Sequence, residues 1–258
     1  MLLAIDIGNS TISAGLFSGA LLRRRLKMPS HPRRDAEEYR KEIERFLASE
    51  AGGRELSGIV VSSVVPGLEE VLSHAITGMS VREPFIVGPS LDTGLGFDVE
   101  ETGQVGPDRI VNAMAAREKY GDPVLAIDFG TATTISAVRN GKFIGGAILP
   151  GVGLMSEVLH TSTSRLPQVD IGAAVISLNR RLPAVGKGTT KCIVSGIIYG
   201  MAGAVDRLIH EIEREECPFI VVITGGYAAL MAPFLERNVL FDQDLTLQGL
   251  RLIYERNT

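Results

Sequence analysis

Hydrophobic and polar positions along the chain fall into short, well-punctuated segments. Residues 2–5 form an apolar run closed by Asp6 and Gly8, the pattern of a buried strand. Residues 11–17 predict a second strand, Ser18-Gly19 a hairpin, and residues 21–28 the return. A loop with Pro29, Pro32 and the basic pair Arg33-Arg34 follows. Asp35 stands where it would cap a helix to about residue 50, with Tyr39, Ile43, Phe46 and Leu47 at helical spacing. Residues 58–65 predict a buried strand, Pro66-Gly67 starts a helix to about residue 77, and residues 84–87 predict a short strand. Residues 88–106 are glycine-rich and without period, a loop long enough to suggest function. Pro107 sits at a first helical position, and the helix runs to about residue 120.

The second half repeats this plan. Strands are predicted at residues 123–127 and 133–139, Asn140-Gly141 is a type I′ hairpin signal, and residues 142–149 return. Residues 152–160 read as helix and 166–183 are poorly patterned. Thr189 or Thr190 is expected to cap a helix to about residue 216. Gly196, Gly200 and Gly203 lie along one side of it, where a second helix or another subunit would pack. An apolar strand at 218–224 ends in Gly225-Gly226. A helix at 227–237, a strand at 239–241 and a last helix at 245–255 complete the chain. The phrase AIDIGNSTIS at residues 4–13 returns as AIDFGTATTIS at 126–136. The expected fold class is therefore α/β, with two duplicated domains (residues 1–121 and 122–258) and mixed sheets flanked by helices.

Composition narrows the picture modestly. A chain of 258 residues, 45% hydrophobic, can build one large core or two modest ones. A net charge of −4 argues against a nucleic-acid partner. Cys192 and Cys217 lack metal-ligand spacing and read as buried free thiols of a reducing compartment. The start of the chain shows no secretory signal. The apolar stretch 192–205, broken by Ser195 and three glycines, is shorter than the ~20 residues of a membrane span. A cytoplasmic protein without membrane partners is expected.

Candidate chemistry lies at the repeated phrase. Asp6 and Asp128 each end an apolar strand and precede a glycine, Gly8 or Gly130, that lets backbone approach a ligand. Asn9, Ser10, Thr11, Thr131, Thr133 and Thr134 offer donors for phosphate oxygens. Plain hairpin turns would use the same residues; their recurrence favours a nucleotide phosphate and its cation. Gly225-Gly226 reads either as a tight turn or as a platform under an adenine. The chain has no Walker-type lysine motif and no Rossmann fingerprint. At Gly106-Pro107-Asp108-Arg109 a carboxylate could take a proton from an alcohol, and a guanidinium could bind a carboxylate. The same pair is also ordinary in a first helical turn. The four histidines are scattered.

These motifs, in this order, resemble the type III pantothenate kinases of the actin/hexokinase/Hsp70-like ATPase superfamily. The likeness runs from AIDIGNS (4–10) through SSVVP (62–66), TGLG (93–96) and GPDR (106–109). It continues in DFGTATT (128–134), GGAILPG (145–151), GKGT (186–189) and TGG (224–226), and in the terminal DLTLQGLRLIYERN. The resemblance implies two ribonuclease-H-like (actin-like ATPase) domains with a nucleotide cleft between them, and a homodimer. It implies transfer of the γ-phosphoryl group of ATP, with Mg²⁺, to pantothenate, the first step of coenzyme A synthesis. By position it assigns Asp6, Ile7, Gly8, Asn9, Ser10, Thr11, Ile12 and Ser13 to the first phosphate loop. Thr131 becomes an ATP contact, and Asp128 a ligand of a monovalent cation, K⁺ or NH₄⁺. Asp108 becomes the base, and Val99, Gly106, Pro107, Asp108, Arg109 and Thr189 substrate contacts. The chain departs from the family pattern in four places. Val99 stands where an aromatic residue is usual and Ser10 where threonine is. Pro107 replaces alanine, and Lys187-Gly188 replaces arginine-asparagine. Val99 leaves room for one alternative, another small-molecule kinase on this scaffold; a second alternative is a non-catalytic regulatory relative.

Overall fold

A computed structural model describes residues 1–48, 56–88, 91–178 and 181–258. The expected end of the first helix near residue 50, and small parts of the stretches 88–106 and 166–183, lie outside the described residues. In chain order the strands are β1 (Leu2–Ile7), β2 (Thr11–Ser18), β3 (Leu21–Pro29), β4 (Gly58–Ser63), β5 (Phe85–Ile86) and β6 (Gly96–Phe97). They continue with β7 (Val124–Phe129), β8 (Ala132–Arg139), β9 (Lys142–Pro150), β10 (Ile220–Thr224) and β11 (Leu240–Phe241). The helices are α1 (Ala36–Ala48), α2 (Pro66–Ile76), α3 (Pro107–Tyr120) and α4 (Val152–Thr161). The last four are α5 (Ile171–Ser177), α6 (Thr189–Glu215), α7 (Ala228–Met231) and α8 (Leu245–Asn257).

The strands form two sheets, ordered β3-β2-β1-β4-β5 and β11-β10-β7-β8-β9-β6. In each, an antiparallel three-strand meander continues through its first strand into a parallel pair: β1 with β4, and β7 with β10. Read from the meander, both sheets have the order 3-2-1-4-5, and the second adds β6 beside β9. The repetition extends to a register irregularity in the second strand, at Leu16/Phe17 and at Ala137/Val138, three residues past the hydroxyl that faces each aspartate. The predicted duplicated α/β class with two mixed sheets flanked by helices is the observed one.

The chain divides into two compact units that interleave in sequence. One comprises residues 1–95, 100–115 and 244–258; the other comprises 96–99 and 116–243. This differs from the contiguous division expected at 121/122, because the last helix packs with the first sheet. The physical reason is that β1 is apolar on both faces. Leu3, Ile5 and Ile7 join Tyr39, Ile43, Leu68 and Leu72 in one core under α1 and α2. The opposite face carries Leu2 paired with Gly58 and Ala4 paired with Gly15. There α8 comes so close that a Cβ on Gly58 would lie 2.0 Å from the Tyr254 hydroxyl, and one on Gly15 3.1 Å from Leu247. A strand buried on both faces reads as a continuous apolar run, and covering the second face takes a helix from the far end of the chain. In the other unit, β7, β8 and β10 share a core with α4, α5 and α6 through Leu125, Ile127, Phe129, Val152, Val175 and Ile197.

Local signals behave as their chemistry dictates. Asp35 Oδ1 accepts the Glu38 N–H at 2.8 Å while Glu38 Oε2 accepts the Asp35 N–H at 3.1 Å, a reciprocal capping box. Asn140 and Gly141 both have positive φ, 54° and 72°, as a type I′ turn requires. Asp122 accepts both of their N–H groups, at 3.0 and 2.6 Å.

Other expectations are corrected. The stretch 88–106 contains β6 and a 3-10 turn at Thr102–Gln104, and 166–183 contains α5, capped by Asp170 on the Ala173 N–H at 3.0 Å. The helix expected at 227–237 is only α7 followed by a 3-10 turn. The N-cap of α6 is Gly188, with no side-chain cap, and Thr189 is the first helical residue. Cys192 is exposed and Cys217 half-buried against the second core, so neither is a fully buried thiol. Among the described residues, a Cβ at Gly196, Gly200 or Gly203 would meet nothing within 4 Å. By length and composition α6 could cross a membrane, which the interrupted stretch 192–205 did not suggest; half of its most apolar window is buried inside the protein.

Candidate active site

In each sheet the next-to-last residue of β1 or β7 is an aspartate between hydroxyls. Asp6 is paired across β2 with Ser13 and across β4 with Ser62. Asp128 is paired with Thr134 and Thr224 in the corresponding positions. Registered partners share a face of a sheet, so each carboxylate sits in a row of alcohol side chains. Both aspartates are half-buried, and both lie where the meander meets the parallel pair.

The two hairpins differ by one residue. Between the paired residues Ile7 and Ile12 lie Gly8, Asn9, Ser10 and Thr11; between Phe129 and Thr133 lie Gly130, Thr131 and Ala132. The longer turn is closed by the Gly8 N–H on the Thr11 carbonyl at 3.0 Å, the shorter by the Gly130 N–H on the Ala132 carbonyl at 3.1 Å. Asn9, Ser10, Thr11 and Thr131 are exposed at the turn tips, while Ile7 and Ile12 are buried and belong to the core. Those two therefore fix the loop from below and present no side chain to a ligand.

The first turn is tied down by Ser30, which is 1% exposed. Its N–H donates to the Ser10 carbonyl at 3.1 Å and its hydroxyl to the Gly8 carbonyl at 2.7 Å. The second turn is backed by Gly225, whose φ is +99°; a Cβ there would lie 2.2 Å from Asp128 Oδ1 and 2.7 Å from the Phe129 backbone. The Tyr227 N–H donates to the Phe129 carbonyl at 3.0 Å, and the Gly151 N–H to the Thr131 carbonyl at 2.9 Å. The sequence assigns Ser30 no role, and it carries Ser62 and Thr224 only as the first residues of the motifs SSVVP and TGG. Only strand register brings them to the aspartates, although the spacing of β1 and β4 signals made Ser62 findable.

Two buried hydroxyls near these turns, Ser62 Oγ and Thr133 Oγ1, have no hydrogen-bond partner among the described residues. Buried polar groups are nearly always paired, so an orphan beside Asp6 is what a site completed by a polyanion and its counter-ion would show. The donor set of exposed turn-tip N–H groups, hydroxyls and one amide suits phosphate oxygens. Among the described residues no group of three or more His, Cys, Asp or Glu could hold a metal by itself. A cation here would be shared with its ligand's oxygens.

Asp108 and Arg109 open α3. Residues 109 and 110 donate their N–H groups to the Gly106 carbonyl at 3.1 and 3.2 Å, so Gly106 carries the start of the helix. Burial pushes the Asp108 carboxyl above its ordinary value, against the opposing pull of the Arg109 N–H, the Arg109 guanidinium and its own N–H. Burial pushes Arg109 down, and the Asp108 charge opposes that shift. A Cβ on Gly106 would lie 2.5 Å from Asp108 Oδ1. The result is a half-buried carboxylate, held by two N–H groups and less acidic than usual, which are the properties of a proton acceptor.

The remaining predicted residues are distributed between the units. Asp6 to Ser13 and Gly106 to Arg109 belong to the first; Val99, Asp128, Thr131 and Thr189 belong to the second. Val99 lies two residues past the end of β6 and is half-buried, and Thr189 is exposed at the first turn of α6. Phe97, the neighbouring aromatic, packs on Phe143 with ring centres 6.1 Å apart.

Comparison with known proteins follows the same line. The family model described as type III pantothenate kinase matches residues 2–211. A type III pantothenate kinase of Moorella thermoacetica is 41% identical over 262 aligned positions, covering 100% of both chains. Among solved structures, a putative Baf family transcriptional activator from Campylobacter jejuni superposes with TM-score 0.58 at 19% identity, covering 99% of this chain and 98% of the other. A ROK family glucokinase from Streptomyces griseus, in complex with glucose and AMPPNP, superposes with TM-score 0.55 at 12% identity, covering 98% of each. These structural likenesses bear on the fold alone, which this chain shares with both.

Proposed function

The chain belongs to the type III pantothenate kinase family, and from that premise we infer that it is a kinase transferring the γ-phosphoryl group of ATP to the primary hydroxyl of pantothenate. The observation that carries this is the match of the whole chain to a relative of that name at 41% identity. No feature of the chain favours a non-catalytic relative. Ser10 keeps the hydroxyl of the usual threonine, and Asp6, Asp108, Arg109 and Asp128 are all present.

The chemistry asks the protein for position and charge compensation. The turn Asp6, Ile7, Gly8, Asn9, Ser10, Thr11, Ile12 and Ser13 would hold the phosphates with its N–H, amide and hydroxyl donors. ATP would supply the phosphoryl group, and Asp6 would help hold a Mg²⁺ ion that offsets its charge. Ser62 would give its unpartnered hydroxyl to the same constellation. Asp128, backed by Gly225, would hold the monovalent cation, K⁺ or NH₄⁺, with Thr131 touching ATP. Asp108 accepts the proton of the attacking hydroxyl, and its raised pKa makes it a better base once ionised. Arg109 pairs with the pantothenate carboxylate. Val99, Gly106, Pro107 and Thr189 would complete the substrate contacts. The exposed glycine side of α6 offers a surface for a homodimer, and the compartment we infer is the cytoplasm.

ADP release by the purified protein, with and without pantothenate and with K⁺ or Na⁺, tests the reading. Pantothenate-dependent turnover that falls when Na⁺ replaces K⁺ is expected. Turnover independent of pantothenate would sink the substrate assignment, and indifference to the cation would sink the role of Asp128.

A further inference from the structure

The segment that leads towards Asp108 is held at both ends by one helix. At its start, the Asn257 side chain bonds the backbone of Asp92 twice: Nδ2 donates to the Asp92 carbonyl at 2.9 Å and Oδ1 accepts the Asp92 N–H at 3.1 Å. An amide side chain thereby imitates the pairing of a neighbouring strand. Asn257 Nδ2 also donates to the Ile253 carbonyl at 2.8 Å, which fixes its direction against α8. Beyond Asp92 the chain turns tightly. Asp92 Oδ1 accepts the Gly94 N–H at 2.8 Å, and Thr93 Oγ1 accepts the Leu95 N–H at 3.3 Å. Gly94 has φ +68°, and a Cβ there would lie 2.5 Å from the Arg256 guanidinium. Thr93 and Leu95 are buried, so this turn is packed as well as hydrogen-bonded.

At the other end, the first turn of α8 grips α3. Thr246 Oγ1 donates to Asn112 Oδ1 at 2.7 Å, one helical turn past Asp108, and Asn112 is 3% exposed. Gly249 lies so close to α3 that a Cβ would be 2.6 Å from the Val111 carbonyl. The start of α8 is itself anchored, because Arg25 pairs with Asp244 through two nitrogens.

We propose that α8 is the positioning brace of the 92–109 segment: its last turn, through Asn257 and Arg256, sets the entry to that segment while its first turn sets the helix that carries Asp108. Neither Asn257 nor Arg256 touches reacting atoms; they act through the backbone of residues 92–95. Just past that point the Gly96 and Asp98 N–H groups bond the Gly141 and Phe143 carbonyls, both at 2.9 Å, and Val99 follows directly. Loosening residues 92–95 would act on the backbone that runs through this pairing to Val99, a proposed substrate contact, and not on the phosphate turn. The proposal rests on the reading of 99–109 as the pantothenate segment.

Asn257→Ala in the full-length protein tests it by two readouts. Amide hydrogen exchange at Asp92, Gly94 and Leu95 is expected to accelerate at least about ten-fold, the factor for net loss of one to two hydrogen bonds. Pantothenate KM is expected to rise by about the same factor, with kcat and ATP KM changing less than about two-fold. Asn257→Asp, which keeps the acceptor and loses the donor, should also exchange faster than wild type. Unchanged exchange overturns the brace. Faster exchange with unchanged pantothenate KM overturns its service to the substrate. A parallel loss of kcat, both KM values and melting temperature would reduce Asn257 to a structural residue. A wild-type protein without pantothenate turnover instead sinks the functional reading, and the exchange measurement still decides the brace.

Discussion

At the scale of single residues, Asp108 is where stability and function pull apart. Its carboxyl is raised by burial more than its neighbours lower it, so ionising it costs the folded protein free energy. The protonated form is favoured on folding. That contribution is complete below the unfolded pKa of about 4 and is lost as pH rises through the higher folded value. Asp108→Asn removes the charge and keeps an acceptor for the Arg109 N–H. Its melting temperature should match wild type near pH 4 and exceed it near pH 7 to 8; a lower value at pH 7 would contradict the burial argument. Turnover should fall by about 10²- to 10⁴-fold, the range for a general base, with ATP binding retained. In wild type, the acid limb of kcat/KM should lie above the ordinary carboxylate value, because the base must be ionised. A second residue prediction concerns Gly225. Gly225→Ala would push a methyl group into Asp128 and strain a positive φ. Stimulation by K⁺ should be lost in that variant, and a K⁺ titration of turnover checks it.

At the scale of elements, the reading from sequence succeeded where periodicity and punctuation agree. The β1 to β3 meander, α1 with its Asp35–Glu38 box and the Asn140-Gly141 hairpin all carry their determinants within a few residues. Asp35→Ala removes one half of the box and should cost about 1 kcal/mol, a fall of about 2–4 °C in melting temperature for a protein of this size. Thermal unfolding monitored by circular dichroism measures it, with turnover at 25 °C unchanged. Where the reading missed, the determinant was non-local. β6 has only two residues and exists because β9 offers it a partner. In α5 the seven helical residues are too few to show a period, and its cap, Asp170, was the legible signal. The long α6 begins one position beyond a glycine cap, so its threonines offered a false start.

At the scale of the whole molecule, the two units share a strand order but not a contiguous stretch of chain. The expected cut at 121/122 would leave the first sheet without α8, exposing the face that carries Leu2, Ala4 and Gly58. In α8 the buried Leu245, Leu247, Leu250, Ile253 and Tyr254 contribute about 1.5–3 kcal/mol each when covered. A protein made of residues 1–121 alone should therefore be unfolded or aggregated. One in which residues 244–258 are joined to it by a flexible linker should recover cooperative unfolding. Dispersion and unfolding of amide NMR signals in the two proteins distinguish the outcomes, and a well-folded 1–121 fragment would reject the argument.

The sequence by itself determined the longer elements, their duplication and the chemical character of the site. Those properties reside in short-range patterns: an apolar run, an aspartate, a glycine and a row of hydroxyls, written twice. Its resemblance to one kinase family named the reaction. Only the tertiary structure decided that Ser30 ties the first turn, that Ser13 and Ser62 flank Asp6, and that Gly225 backs Asp128. It alone brought the end of α8 to Asp92. Register and helix packing join residues that are distant along the chain, and no local pattern records which partner a buried face will find.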